Sequence, residues 1–371
     1  MSMVLAAQRI IDADADHGEG WLRIEGDTIV EAGQGSAPSE AVRATVLLPG
    51  FVDMHCHGGG GASFTSADPE QILGAVATHR AHGTTTMNAS LVSATYDDLR
   101  VQIEALKPFV DAGEIHGIHL EGPWISPSYC GAHDPRTLTD PDPDAVADIM
   151  ETGAGRISMV TIAPELPGAL ESIRIITERG AVAAVGHTAS DGDVVRAAID
   201  AGATVATHLF NAMPPLLHRD AGPVGVLLAD PRVTCEVIGD GVHLDPDVVA
   251  LTLSAAGGRG ALVTDAMAAA GAGDGNYRIG HLEVVVHDGV ARLRDGGSLA
   301  GSTLLMDSAW RRAVRLADRT PSQASEAVSA APARAMGLRD RGLLAVGQRA
   351  DVVALDDTLM VTRVVRAGTP A

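Results

Sequence analysis

A single lysine, Lys107, stands among 371 residues, and aromatic residues make up only 3% of the chain. Basic residues are outnumbered 27 to 47 by acidic ones, for a formal net charge of −20. That balance excludes an extended basic surface for nucleic acid, and an anionic substrate must be met by a local positive site. Three cysteines, Cys56, Cys130 and Cys235, build no disulfide framework and suit a reducing compartment. No apolar run is long enough to cross a bilayer. The opening MSMVLAAQRIIDADADHG has no basic segment leading into a signal-type apolar core, so a cytoplasmic protein without a membrane partner is expected. What is present is 46% hydrophobic and 20% charged, which excludes global disorder and provides for one large domain plus a small one.

The two ends of the chain read alike. MVLAAQRIID, GWLRIEG and TIVEAGQG near the start are β-like pieces punctuated by glycine and aspartate, as are GLLAVGQRADVVALDD and MVTRVVRAG near the end. Neither end has enough apolar surface for its own core. Residues 1–48 and 343–371 are expected to pair as one small β-domain, with two separate edge hairpins as the alternative. Residues 49–342 hold the catalytic body. Strand-like segments (VLLPGFVDMHCH, GTTTMNASLVS, IHGIHLEGPWI, ISMVTIAPE, AVAAVGHTAS, ATVATHLFNAM, VTCEVIGDGVH and ALVTDAM) alternate there with helix-like ones, from PEQILGAVATHRAHG to PDVVALTLSAAG. VVVHDGVARL then reads as a hairpin turning at Asp288-Gly289, followed by two more helices. Eight βα units in about 290 residues predict an α/β fold, a distorted (β/α)8 barrel of the TIM type.

Chemically capable side chains recur where the strand candidates stop. His55 and His57 end the first, Glu121 the third, His187 the fifth, His208 the sixth and Asp265 the eighth, while His243 follows the seventh. Barrel active sites form at these C-terminal strand ends. At a period of two, His55 and His57 point to one face and can hold a divalent ion, while Cys56 points away into the core. Glu121, between an apolar strand and a Gly-Pro turn, needs a cation or hydrogen bonds there, and can anchor one metal or bridge two. His119 shares its parity and either supports the site or packs inside the barrel. Glu121, His187 and His208 form a three-ligand set with an open water position, the pattern of a catalytic zinc. Asp265 can take a proton from a water and return it to a leaving group, and can also touch the metal. His243 can polarise a substrate carbonyl. The run Asn211–Arg219 offers backbone amides and a guanidinium to a phosphate, unless Arg219 is an ordinary surface arginine.

Taken in order, PGFVDMHCHG, HLEGPWIS, GAHDP, GHT, THLFNAMPPLLHR, GDGVHL, VTDAM and LAGST resemble the amidohydrolase superfamily, and within it the N-acetylglucosamine-6-phosphate deacetylases. These pieces run from Pro49 to Thr303. The resemblance implies metal-dependent hydrolysis of the N-acetyl amide of N-acetylglucosamine 6-phosphate to glucosamine 6-phosphate and acetate. It implies Glu121, His187 and His208 as the main metal ligands, Asp265 as acid/base and His243 on the substrate carbonyl. Substrate contacts are implied for Ala132, His133, Asn211, Ala212, Leu299, Ala300 and Gly301, with Arg219 on the phosphate. A homodimer or a dimer of dimers is implied as well. His55 and His57 stand where single-metal members carry Gln-x-Asn, so two divalent ions bridged by Glu121 are expected. Zn2+ leads, with Fe2+, Mn2+, Co2+, Ni2+ and Cd2+ as alternatives. The carboxylated lysine that bridges the metals in many members has no counterpart, because Lys107 lies inside a charged helix. The competing activity is hydrolysis of N-acyl amino acids or cyclic amides, and the competing role is a silent scaffold.

Overall fold

The structure is a computed structural model and describes residues 2–371. Eight parallel strands pair in sequence order: Phe51–Asp53, Thr84–Val92, Gly117–Glu121, Ile157–Ile162, Val182–Val185, Val205–Ala206, Thr234–Ile238 and Gly260–Val263. They are buried on both faces, as in a sheet covered on both sides; all of Thr84–Val92 is buried, including its threonines, Asn88 and Ser90. The eighth strand returns to the first without a regular ladder. Asp265 N donates to His55 O at 2.9 Å, and His57 N donates to Ala266 O at 2.8 Å. Just below, the Asp53 carboxylate accepts from Thr264 N at 3.2 Å and from its hydroxyl. This closure produces the distorted barrel expected from the sequence.

A helix follows each strand: Pro69–Ala81, Tyr96–Asp111, Pro143–Gly153, Ala169–Glu178, Gly192–Ala201, Gly222–Ala229, Pro246–Ala256 and Met306–Leu316. Asp68, Thr95, Asp142, Asp191 and Asp245 start five of them by accepting first-turn backbone N–H groups. Proline follows the cap at Pro69, Pro143 and Pro246, where its missing N–H costs nothing. The inner faces carry Ile103, Ile149, Ile173 and Val195 into one buried cluster with the strands. No described helix is long and apolar enough to cross a membrane.

A seven-stranded sheet draws on both ends of the chain. Its order is Thr369–Pro370, Val361–Arg366, Val352–Leu355, Val42–Pro49, Ser2–Ile10, Gly20–Glu25 and Thr28–Gln34. The seam lies where Val352 pairs with Pro49 and Leu355 with Val46, antiparallel. Leu5, Leu22, Leu47 and Val352 share one buried cluster across it, so the ends pair rather than standing as separate hairpins.

Two local readings change. VLLPGFVDMHCH is not one strand: Val42–Pro49 joins the terminal sheet and Phe51–Asp53 the barrel. Gly50 divides them at a point where a Cβ would lie 2.2 Å from Thr85 Oγ1. The hairpin at Asp288-Gly289 forms, with positive φ at both turn residues (50° and 73°). It also pairs with a further strand, Gly275–Ile279, which a short polar stretch such as GNYRI does not announce. This small sheet borders the barrel mouth and contributes Ile279 to the cavity there.

Candidate metal-dependent active site

The polar strand ends meet at a cavity of about 410 Å³, with His57, Glu121, His187, His208 and Asp265 among its walls. His187 Nε2 and His208 Nε2 lie 3.1 and 3.0 Å from Glu121 Oε1, and 3.0 Å from each other. On the other side, His57 Nε2 is 3.2 Å from Glu121 Oε2 and 3.3 Å from Asp265 Oδ1. His55 Nε2 lies deeper, 3.1 Å from His57 Nε2 and 3.5 Å from both Asp265 Oδ1 and Glu121 Oε1. The Glu121 carboxylate therefore stands among these donors, with His187, His208 and His55 toward Oε1 and His57 toward Oε2.

The second nitrogen of these rings decides what the first can do. His187 Nδ1 sits 2.8 Å from the Tyr129 carbonyl, and His57 Nδ1 3.1 Å from the Ser90 carbonyl. A carbonyl only accepts, so both Nδ1 atoms carry the proton and the neutral ring presents a lone pair at Nε2. Those lone pairs face carboxylate oxygens and one another. Such a buried cluster of acceptors requires positive charge in its midst. Ligand atoms about 2.0–2.1 Å from a tetrahedral zinc-sized ion lie roughly 3.3 Å apart. The separations of 3.0–3.5 Å fit that spacing, and the donor chemistry fits divalent ions.

The titration tendencies carry the same message. Burial pulls His55 down, but the Glu121, Glu236 and Asp265 carboxylates overcome it and raise its pKa well above the ordinary value. Burial pushes Glu121 up, yet His55, His133 and His187 hold it well below the usual carboxylate range. Asp265 is likewise held below that range by His55 and His57 against burial. Protons or metal ions can supply the charge these carboxylates demand, and metal loading exchanges one for the other.

Backbone geometry is unusual at the same positions. His187, His208 and Asp265 have φ values of 47°, 27° and 46°. Left-handed backbone at non-glycine residues costs on the order of 1–3 kcal/mol each, and concentrates where function over-determines it.

The neighbours divide the remaining work. His133 Nδ1 accepts from Ser93 N at 3.1 Å, so Nε2 carries the proton and donates toward Glu121 Oε2 at 3.2 Å. That tautomer opposes metal ligation, and burial lowers the His133 pKa to about 4 despite Glu121. His243 Nδ1 is 2.7 Å from Asp240 Oδ2. Burial lowers His243, but the Asp240 hydrogen bond outweighs it, and the net shift is upward. His119 lies between Ser90 Oγ (2.9 Å) and Thr161 Oγ1 (2.8 Å), edge-on beneath His55 at 4.6 Å between ring centres. Of its two readings, it supports the site from inside the barrel. Cys56 points into the core, where burial pushes its thiol pKa well up.

The sequence signature of the Amidohydrolase family matches residues 46–370. The chain belongs to that family. This amidohydrolase is 35% identical over 371 residues to the N-acetylgalactosamine-6-phosphate deacetylase of Escherichia coli O157:H7, covering 98% of each chain. It is 36% identical over 330 residues to the N-acetylglucosamine-6-phosphate deacetylase of Bos taurus, covering 85% of this chain and 81% of that one. Among solved structures, a mutant N-acetyl-D-glucosamine-6-phosphate deacetylase from Mycobacterium smegmatis, in complex with N-acetyl-D-glucosamine-6-phosphate, superposes with a TM-score of 0.96. Its sequence is 47% identical, with 100% of this chain and 99% of that chain covered.

The site of this amidohydrolase gathers most residues expected from sequence. Ala132, His133, Asn211, Ala212, Leu299 and Gly301 border the cavity, as does His243. Ala300 is fully buried behind them. Arg219 is not brought to the cavity; it sits on an exposed loop, with Nη1 2.8 Å from His218 Nε2. Five residues of the wall were not anticipated: Ser128, Tyr129, Gly131, Ile279 and Ser298. Ile279 ends the short strand Gly275–Ile279, and the others lie on connecting segments without a distinguishing pattern. Glu236 was also missed, although an acidic residue inside the apolar stretch VTCEVIG is a visible signal.

Proposed function

We propose that this amidohydrolase hydrolyses the N-acetyl amide of N-acetylglucosamine 6-phosphate, releasing acetate and glucosamine 6-phosphate, with two divalent ions, Zn2+ first. The observation that carries this reading is the Glu121 carboxylate set between two groups of inward-facing imidazole lone pairs. His55, His57 and Asp265 would hold one ion and His187 and His208 the other, with Glu121 shared. Divalent ions bound there would polarise the acyl carbonyl and bring the pKa of a water from about 15.7 toward about 7.

The chain's own residues handle the protons. Asp265, held below the usual carboxylate range by His55 and His57 in the metal-free site and facing divalent charge once ions are bound, would take the proton of the attacking water. It then delivers that proton to the departing amine, which otherwise re-forms the amide. His243 keeps a proton on Nδ1 for Asp240. Its raised pKa lets Nε2 carry a second proton to higher pH than an ordinary histidine, for donation to the developing oxyanion. Activity that needs this imidazolium falls as pH rises through the His243 pKa. Asp240→Asn lowers that pKa, so the alkaline limb of kcat/KM against pH moves to lower pH; an unmoved limb removes His243 from this role.

Ala132, His133, Leu299 and Gly301 would position the sugar, with Ala300 packed behind them, and Asn211 and Ala212 its phosphate end. Arg219 would reach the phosphate from a second copy of the chain in a homodimer. Its loop carries the exposed side chains Leu216 and Leu217, and Val242 beside His243 is exposed too. Neighbouring apolar side chains left exposed favour burial against a partner. The three cysteines are free thiols, in keeping with a cytoplasmic setting.

Acetate release from a panel of substrates tests this reading. The 6-phosphorylated sugar is expected to be strongly preferred over free N-acetylglucosamine, since remote binding energy holds the amide in place. Arg219→Ala should erase most of that preference. Equal use of both sugars by the unaltered protein contradicts the phosphate site. N-acetylgalactosamine 6-phosphate belongs in the panel because of the full-length Escherichia coli relative; a faster rate with it would transfer the assignment to that epimer.

A further inference from the structure

We infer that Glu236 is a positioning residue that selects the ligating nitrogen of His55 and ties the two halves of the metal centre together. This rests on the two-ion reading above. Glu236 lies on the seventh barrel strand, Thr234–Ile238, and is fully buried. Its Oε2 is 3.0 Å from His55 Nδ1 and accepts from His208 N at 3.0 Å. The next residue, Leu209, donates its N–H to the Glu236 carbonyl at 2.9 Å. One side chain thus touches a ligand from each set.

The first contact holds the proton on His55 Nδ1 and leaves the Nε2 lone pair facing His57 and Asp265. A carboxylate behind a ligating imidazole also makes that ring a stronger donor. The second contact pins the left-handed turn, φ 27° at His208, from which that ring reaches Glu121. The Glu236 side chain makes no other hydrogen bond. Among the described residues the one titratable group at ion-pair distance is His55, neutral when its Nε2 ligates a metal, and Oε1 is buried without a hydrogen-bond partner. An uncompensated buried carboxylate is costly. Divalent charge just beyond His55 would offset it.

Glu236→Gln keeps the size and an acceptor oxygen but removes the charge. The test strips the protein of metal and titrates Zn2+ against a chromophoric chelator to obtain stepwise dissociation constants, with unfolding midpoints of the stripped proteins measured alongside. Two ions are expected for the unaltered chain. In Glu236→Gln, one step should weaken ~10–100-fold, the range for residues supporting a metal ligand, while the other stays close to its original value. The stripped variant should unfold near the original midpoint, and turnover at saturating Zn2+ should largely return, since Glu236 touches no reacting atom. Glu236→Leu, which also removes the acceptor for His208 N, should weaken both steps. Two ions bound to Glu236→Gln with unchanged stepwise constants overturn this inference alone. A single ion bound to the unaltered chain overturns the two-ion reading and this inference with it.

Discussion

Replacing Asp265 with asparagine is expected to lower kcat ~10²–10⁴-fold, the usual range for a positioned acid–base group. Asparagine has nearly the same shape but cannot accept the proton of the attacking water or return it to the amine. The fold should survive, because the main chain at this position is held independently. Asp265 N donates to His55 O, and Ser302 N donates to Asp265 O at 2.7 Å. Substrate binding rests on other residues, so KM should change far less than kcat. Asp265 Oδ1 also lies 3.3 Å from His57 Nε2, so loss of an ion must be separated from loss of the base. Steady-state kinetics at several Zn2+ concentrations, with metal content determined on the same samples, achieves this. A deficit that saturating metal does not restore identifies the proton-transfer role. Turnover near the original value at full loading contradicts it.

Stripping the divalent ions with a chelator should abolish acetate release altogether while leaving the barrel folded. Imidazoles and carboxylates would remain at the floor with no Lewis acid between them. Readdition should restore activity, and a ligand at 100 times its dissociation constant stabilises the folded state by about 2.7 kcal/mol. The stripped protein should therefore unfold at a lower temperature than the loaded one. The pH dependence of loading has a definite sign. The pKa values of His55 and His57 are raised in the metal-free site, so these rings hold protons that a metal must displace. Apparent affinity should rise with pH, and calorimetry in buffers of different ionisation enthalpy should register proton release on binding. Full activity in thoroughly stripped protein, or loading without proton release, contradicts this.

The barrel was legible because its units alternate: β-like strands buried on both faces alternate with helices opened by Asp68, Thr95, Asp142, Asp191 and Asp245. The site was legible for a related reason. His55, His57, Glu121, His187, His208 and Asp265 interrupt apolar segments at equivalent places, and a barrel brings equivalent places together. Less visible were features set by tertiary contact. An apparently continuous strand divides at Gly50, where Thr85 leaves no room for a side chain. Gly275–Ile279 alternates over only five residues, too few to stand out, and pairs with Leu282–His287 beside it. The tautomers of His57 and His187 depend on the Ser90 and Tyr129 carbonyls, contacts between chain segments that no local motif records. Arg219 shows the opposite limit: a motif placed it at the substrate, yet within one chain its loop stays in solvent.

Anomalous diffraction from Zn2+-loaded crystals tests the central claim most directly. Two peaks are expected on either side of the Glu121 carboxylate, one about 2.0–2.1 Å from the His187 and His208 Nε2 atoms and one at a similar distance from those of His55 and His57. A carboxylate with no metal on either side, its oxygens met only by protonated imidazoles at saturating Zn2+, would contradict the account.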